Sequence, residues 1–215
     1  AAHHYIVDRL EGVLPDVEVI SEESAEARGF AAPTGQRFWL VDPLDGTKEF
    51  INKRDEFTVN IALIDGGKPV MGVVVAPALG QTWAGSPEGA FRQNIGGEGR
   101  TDIHVRAVPA AGLTVTASLS HADPAALEAL LKGQKVADVV NAGSSLKFCR
   151  VAEAAADLYP RQGRTMEWDT AAGQAVAEAA GAVVLRLENR EPLTYGKEGL
   201  DNPHFILGLS EVVSA

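Results

Sequence analysis

An apolar run that ends in two closely spaced aspartates constrains this chain more than any other feature. Residues 38–41 have the composition of a buried strand, and they are followed by Asp42, Pro43, Leu44, Asp45, Gly46 and Thr47. Because proline disfavours the helical basin for the residue before it, we expect the strand to stay extended through Asp42 and then to turn. Asp42 and Asp45 would then converge on one point.

This convergence predicts a magnesium site. Mg²⁺ binds few protein carboxylates and completes its octahedron with water and phosphate oxygens, so Asp42 and Asp45 suit it. The backbone carbonyl of Leu44, which lies between them, is a further candidate ligand. Gly46 and Thr47 offer unobstructed N–H groups and a hydroxyl for a phosphate or a water. Taken alone, the string is also compatible with an ordinary turn, because turns use Asp, Pro and Gly.

Two other segments place acids where they could join this site. Residues 17–20 form a second strand-like run, which is followed by Glu22 and Glu23. Asp169 precedes an Ala-rich segment that is predicted to be a helix over 170–180. The alternatives are a solvated acid for Glu22 and a helix N-cap for Asp169. Glu23 would bind a third, weaker metal ion or face solvent.

Together these motifs resemble the signature set of the lithium-sensitive, magnesium-dependent phosphatases, the superfamily of inositol monophosphatase and fructose bisphosphatase. The resemblance implies two or three bound Mg²⁺ ions, held by Glu22, Asp42, the Leu44 carbonyl, Asp45 and Asp169. It implies catalytic roles for Asp45 and for Thr47, whose hydroxyl would orient the attacking water. A closer resemblance, to the CysQ branch of 3'(2'),5'-bisphosphate nucleotidases, is carried by residues 44–51, 143–149 and 158–161.

The same resemblance implies the residues that bind substrate: Gly46, Thr47, His121, Ser144, Lys147, Arg161 and Asp169. His121, Ser144, Lys147 and Arg161 would hold the nucleotide and its 5'-phosphate, away from the metals. Lys147 falls in the first turn of a predicted helix, where a cation is disfavoured unless an anion binds there. The alternatives are an ordinary loop histidine at His121 and a surface ion pair at Arg161, with Arg164 making the true contact.

The chain pattern predicts a layered α/β fold. Hairpins are predicted for 57–64 with 69–75 and for 81–84 with 89–93, and later strands for 113–117, 136–140 and 182–187. Helices are predicted for 124–131, 145–156 and 170–180. The resemblance implies an αβαβα sandwich whose family members carry helices before the position of Ala1, including an acid that partners the threonine. We therefore expect those N-terminal helices to be missing from this chain, which would form one unit, 1–215, with lobes of about 1–100 and 101–215.

Composition limits the kinds of molecule that this chain is expected to bind. A formal charge of −10 argues against nucleic acid, which binds clustered basic residues. The small phosphonucleotide that the resemblance implies escapes this objection, because bound Mg²⁺ would supply local positive charge. The single Cys149 excludes an intramolecular disulfide, and no stretch has the apolar length of a membrane span. We expect a cytoplasmic monomer or homodimer, with peripheral association at the inner face of the membrane left open. The resemblance to the CysQ branch implies removal of the 3'-phosphate of adenosine 3',5'-bisphosphate, with its 5'-phosphosulfate relative as a further candidate substrate. Inositol or sugar monophosphates remain alternative substrates, and a catalytically silent phosphonucleotide-binding protein is a third alternative.

Overall fold

The computed structural model describes residues 2–117 and 124–214, in which two β-sheets alternate with helices. The first sheet has seven strands in chain order: β1 (Glu18–Ser21), β2 (Arg37–Asp45), β3 (Thr58–Asp65), β4 (Lys68–Ala76), β5 (Gln81–Ser86), β6 (Gly89–Asn94) and β7 (Thr101–Asp102). β1 is parallel to β2, and every other neighbouring pair is antiparallel. Both predicted hairpins are confirmed, as β3–β4 and β5–β6.

The second sheet has five strands in the order β11-β12-β10-β8-β9. They are β8 (Leu113–Ala117), β9 (Val136–Asn141), β10 (Leu158–Arg161), β11 (Val183–Arg186) and β12 (Phe205–Gly208). β8 is parallel to β9 and β10, whereas β12 is antiparallel to β10 and β11. The helices are α1 (Ala2–Val13), α2 (Glu22–Ala27), α3 (Thr47–Ile51), α4 (Pro124–Leu130), α5 (Leu146–Ala152), α6 (Glu167–Ala179) and α7 (Ser210–Val213).

Alternation along the strands divides the core into layers. On β2, Phe38 and Leu40 face the central core with α5 and α6, while Trp39 and Val41 face Leu10 of α1 on the other side. On the second sheet, the outward-facing side chains pack against apolar residues of α4 and α7. The layer order is therefore α1, first sheet, α5 with α6, second sheet, α4 with α7. The predicted αβαβα sandwich is confirmed.

Helix α6 lies unusually close to the first sheet, because glycines face it. A Cβ atom at Gly85 of β5 would come within 2.6 Å of the Val176 Cα, and one at Gly72 of β4 within 2.7 Å of the Ala175 Cβ. On the other side of α6, a Cβ at Gly173 would come within 2.5 Å of the Phe148 ring. The small-residue composition of α6 thus fixes the distance between the sheet and the start of the helix, where Asp169 lies.

Two helices differ from their predicted bounds by more than one residue. α5 ends at Ala152 instead of residue 156, since Ala154 takes a left-handed backbone conformation with φ of 63° that a helix does not continue through. α6 begins at Glu167, three residues before the predicted start, so that Asp169 lies inside its first turn. The short helix α2 was not predicted at all. It begins at Glu22, capped by the Ser21 hydroxyl, which accepts the Ser24 N–H at 3.2 Å.

Candidate active site

A bulge in β2 brings Asp42 and Asp45 to the same face of the first sheet. Residues three apart on a regular strand point to opposite faces. Here Asp42 pairs with Asn60 and Asp45 pairs with Thr58, so three steps on β2 match two steps on β3. Pro43 lies within the bulge, where its missing N–H breaks no ladder hydrogen bond. The prediction that the strand stays extended through Asp42 is confirmed, and β2 runs on to Asp45.

Four carboxylates share the space at this end of the sheet. Burial, together with the charges of Asp45, Asp169 and Glu22, raises the pKa of Asp42 to about 10. Burial, with the charges of Asp45 and Glu22, likewise raises the pKa of Asp169 to about 7. The pKa of Glu22 is raised by burial and then by the charge of Glu23. The structure therefore brings Glu22, Asp42, Asp45 and Asp169 close enough to repel one another.

These donors fit magnesium chemically. Buried carboxylates that raise one another's pKa must either take up protons or bind a cation, and hard oxygen donors favour Mg²⁺. Within residues 2–117 and 124–214, however, no three acid, His or Cys side chains converge in a geometry ready to hold an ion. The carboxylates already accept protein hydrogen bonds: Leu44 N–H donates to Asp42 Oδ1 at 2.9 Å, and Met166 N–H donates to Asp169 Oδ2 at 2.8 Å.

Asp169 caps the start of α6, although in another position than the N-cap considered from the sequence. Its bond to the Met166 N–H is one half of a capping box at the start of α6, although Asp169 lies at the third helical position and not at the N-cap. The side chain also lines the pocket described below. Glu23 lies in the first turn of α2 with a half-exposed side chain, 3.6 Å from His3 Nδ1.

The segment after Asp45 forms one wall of the site. Gly46 has a left-handed φ of 91° and caps α3, and a Cβ atom there would lie 3.2 Å from the Glu56 carbonyl. The Thr47 hydroxyl, at the start of α3, donates to the Leu44 carbonyl at 3.4 Å. Leu44 and Thr47, which were expected to serve as ligand and water-orienting group, are therefore adjacent.

A cavity of about 240 Å³ opens beside these acids. Its lining includes most of the residues expected to bind substrate: Gly46, Thr47, Ser144, Lys147, Arg161 and Asp169, together with Asp45. It also includes Lys48, Tyr159 and Thr165, which were not singled out from the sequence. The predicted contact His121 lies outside the described residues.

The two predicted cations of the pocket differ in character. Lys147 is 4% exposed, and its Nζ donates to the carbonyls of Ser144 at 2.7 Å and Ala142 at 3.2 Å. Burial, against the opposing charge of Asp45, lowers the pKa of Lys147 to about 8. Arg161 donates from Nη2 to the Arg164 carbonyl at 3.2 Å, whereas its buried Nε has no partner among the described residues. Arg161 thus has an N–H group without a partner in the described ranges, whereas two of the three Lys147 N–H groups bond to backbone carbonyls.

Arg164 lies on the surface. Its side chain is 74% exposed and its Nε donates to Asp201 Oδ1 at 2.9 Å. The surface ion pair considered for Arg161 is thus made by Arg164, and Arg161 is the arginine that lines the pocket.

A buried ion pair that the sequence analysis missed anchors the start of α6. Glu167 is fully buried and accepts the N–H groups of Gly196 at 2.7 Å and Lys197 at 3.0 Å. The Lys197 ammonium bonds to the same carboxylate at 2.5 Å. Two acids flanking Trp168 were visible in the sequence, but a pairing 30 residues apart gave no local signal.

Comparisons with known proteins agree on one family. The model of the inositol monophosphatase family matches residues 1–208. The curated 3'(2'),5'-bisphosphate nucleotidase CysQ of Escherichia coli K12 is 49% identical over 207 residues, which cover 95% of this chain and 81% of that protein.

Solved structures give the same result. The crystal structure of CysQ from Bacteroides thetaiotaomicron, described as a bacterial member of the inositol monophosphatase family, has a TM-score of 0.79 at 38% identity and covers 94% of this chain and 81% of its own. SuhB of Mycobacterium tuberculosis has a TM-score of 0.73 at 25% identity, covering 99% of this chain and 78% of its own.

Proposed function

Since this chain belongs to the inositol monophosphatase family, we propose that it is a magnesium-dependent phosphatase that removes the 3'-phosphate of adenosine 3',5'-bisphosphate, giving AMP and phosphate. The chain is an enzyme, a 3'(2'),5'-bisphosphate nucleotidase. The observation that carries the substrate assignment is a single pocket lined both by the acids Asp45 and Asp169 and by the cations Arg161 and Lys147. A substrate with two phosphates would use both groups.

The acids are the residues that would hold the metal ions. We assign Glu22, Asp42, the Leu44 carbonyl, Asp45 and Asp169 to two or three Mg²⁺ ions, with Asp42 the central ligand because the other three acids all act on its pKa. Magnesium, when bound, supplies positive charge that lowers the pKa of a coordinated water and neutralises phosphoryl oxygens.

The remaining residues orient the reactants. Thr47, at the start of α3, would hold the attacking water through its hydroxyl, which already lies against the Leu44 carbonyl. Gly46 leaves room for the phosphate to approach the backbone. An unassisted phosphate monoester hydrolyses extremely slowly, so most of the acceleration must come from such alignment and from charge stabilisation.

Arg161 and Lys147 would bind the second phosphate at the far side of the pocket. An Arg guanidinium binds a phosphate with parallel N–H donors, and the unpartnered Nε of Arg161 suits that geometry. Lys147 would add charge while it keeps the preceding loop in place through its bonds to the Ala142 and Ser144 carbonyls. An inositol monophosphate offers no second phosphate and would gain nothing from Arg161.

Other expectations remain part of this proposal: the division into lobes, a cytoplasmic location, and a monomeric or homodimeric state. One structural finding bears on membranes: none of the helices in the described ranges is long and apolar enough to cross one.

Steady-state kinetics on a panel of substrates test the proposal. Adenosine 3',5'-bisphosphate, 3'-phosphoadenylyl sulfate and inositol 1-phosphate are compared with Mg²⁺ and with EDTA, beside an Asp45→Asn variant. We expect Mg²⁺-dependent phosphate release that favours the bisphosphate and that Asp45→Asn abolishes. A preference for inositol 1-phosphate would instead assign the pocket to sugar phosphates, and nucleotide binding without any release would make the chain a binding protein.

A further inference from the structure

A cluster of buried polar side chains lies directly behind Asp45. Thr58 and Asn60 project from β3, and Ser145 precedes α5; their exposed fractions are 0%, 1% and 2%. We call these three residues the Asp45 cradle. Buried polar groups are costly unless they are paired, so three of them in contact call for a structural or functional reason.

The cradle directs its hydrogen bonds at one carboxylate oxygen. Asp45 Oδ2 accepts from the Ser145 N–H at 2.7 Å and from Asn60 Nδ2 at 3.3 Å, and Thr58 Oγ1 lies 3.4 Å from it. The Ser144 hydroxyl bonds to the same oxygen. No donor in residues 2–117 and 124–214 bonds to the other oxygen, Oδ1.

The cradle is also braced internally. The Ser145 hydroxyl donates to Asn60 Oδ1 at 2.7 Å and therefore accepts from the Thr58 hydroxyl at 2.8 Å. Because the Asn60 oxygen is taken up by Ser145, its amide N–H₂ group is the end that faces the carboxylate. The network joins β3 of the first sheet to the loop that opens α5, so it holds Asp45 from both halves of the chain.

We propose that Thr58, Asn60 and Ser145 are positioning residues, which fix the Asp45 carboxylate so that Oδ1 alone is presented to a metal ion. This inference rests on the proposed function, in which Asp45 is a ligand. Outer hydrogen bonds of this kind orient a ligand and lower the entropy it loses on binding, and their removal typically weakens metal affinity about 10- to 100-fold. A cradle that only stabilised the fold would change the melting temperature and leave metal affinity unaltered.

Direct metal binding tests the proposal without turnover. Mn²⁺, which takes the same oxygen ligands as Mg²⁺, is titrated into the substrate-free protein and the free ion is followed by electron paramagnetic resonance. Thr58→Val removes the hydroxyl and keeps the side-chain shape, and we expect Mn²⁺ to bind about 10- to 100-fold more weakly. Thr58→Ser, which restores a hydroxyl, should recover most of the affinity.

Thr116→Val is the matched control. Thr116 is also fully buried on a strand, but its hydroxyl has no hydrogen-bond partner among the described residues, so the same substitution should leave Mn²⁺ affinity unchanged. If Thr58→Val does not fold, Ser145→Ala takes its place; it removes one brace and keeps the N–H bond, and it should weaken affinity by about tenfold, the lower end of that range.

Asp45→Asn separates the two levels of the argument. If Asp45→Asn binds Mn²⁺ as tightly as the unaltered chain, Asp45 is not a ligand and both the proposed site and the cradle are refuted. If Asp45→Asn weakens binding while Thr58→Val, or Ser145→Ala in its place, binds normally, the site stands and the cradle alone is refuted. Weakening by both, with Thr58→Ser rescue and a silent Thr116→Val, supports the proposal.

Discussion

Replacing Arg161 by alanine should separate the two phosphates of the substrate. Arg161 lines the pocket, and its Nε is buried without a partner in the described ranges, so a donor is available for an anion. A hydrogen bond to a charged group contributes about 1.5–3 kcal/mol, and about 1.4 kcal/mol corresponds to a factor of ten. Arg161→Ala should therefore lower kcat/KM for adenosine 3',5'-bisphosphate roughly 10- to 100-fold.

The same change should leave hydrolysis of inositol 1-phosphate nearly unaltered, since that substrate has no second phosphate for Arg161 to bind. The assay is phosphate release at several concentrations of each substrate in excess Mg²⁺. Reading the loss as a free-energy difference requires kcat/KM, because KM alone mixes binding and turnover.

Arg164→Ala is the matched control, three positions further along the chain. Its side chain is 74% exposed in an ion pair with Asp201, and surface pairs contribute only about 0–1 kcal/mol. The lower part of that energy range corresponds to a factor of about two or less, so we expect both activities to stay within about twofold of the unaltered enzyme. An equal loss on both substrates in Arg161→Ala, or a larger loss in Arg164→Ala, would refute the assignment of the second phosphate.

Three further predictions concern charge and packing. The pKa of Asp42 is raised from 3.8 to about 10, so between these pH values the metal-free folded state retains a proton that the unfolded state has lost. The melting temperature of the metal-free protein should therefore fall as pH rises across that range, and Mg²⁺ should remove most of this pH dependence. A pH-independent melting temperature in EDTA would contradict this. Lys197→Met leaves the buried Glu167 without its ammonium partner and should cost about 3 kcal/mol in urea unfolding, whereas a loss below about 1 kcal/mol would mean that the backbone N–H groups suffice. Gly72→Ala should lower the free energy of unfolding by about 1–3 kcal/mol, because the added Cβ meets α6. Gly12→Ala, whose Cβ would have nothing within 4 Å, should not lower it. Equal effects of the two substitutions in thermal unfolding would refute the packing argument.

Local patterns predicted much of the fold. The β3–β4 hairpin follows from alternating residues around a turn, and the structure places Gly66 and Gly67 there with φ values of 57° and 76°. β12 and α7 were not predicted, because residues 205–208 are a short apolar run whose identity as a strand depends on pairing with β10 and β11. Such pairings are set by the tertiary fold, and the local sequence carries no record of them.

In the candidate site, too, only the features with a local sequence signal were predicted. The Asp42–Asp45 spacing pointed to a shared site, but the bulge that puts both on one face depends on pairing with β3. Thr58, Asn60 and Ser145 looked like ordinary polar residues in sequence, and their contact with Asp45 appears only when β3 and the loop before α5 meet. Glu167 and Lys197 were missed for the same reason.

The products formed from adenosine 3',5'-bisphosphate in ¹⁸O-labelled water test the central claim most directly. With Mg²⁺, we expect AMP that keeps its 5'-phosphate, together with free phosphate that carries one ¹⁸O atom from the attacking water. Adenosine 3'-phosphate as the product, or phosphate released equally well in EDTA and by Asp45→Asn, would contradict it.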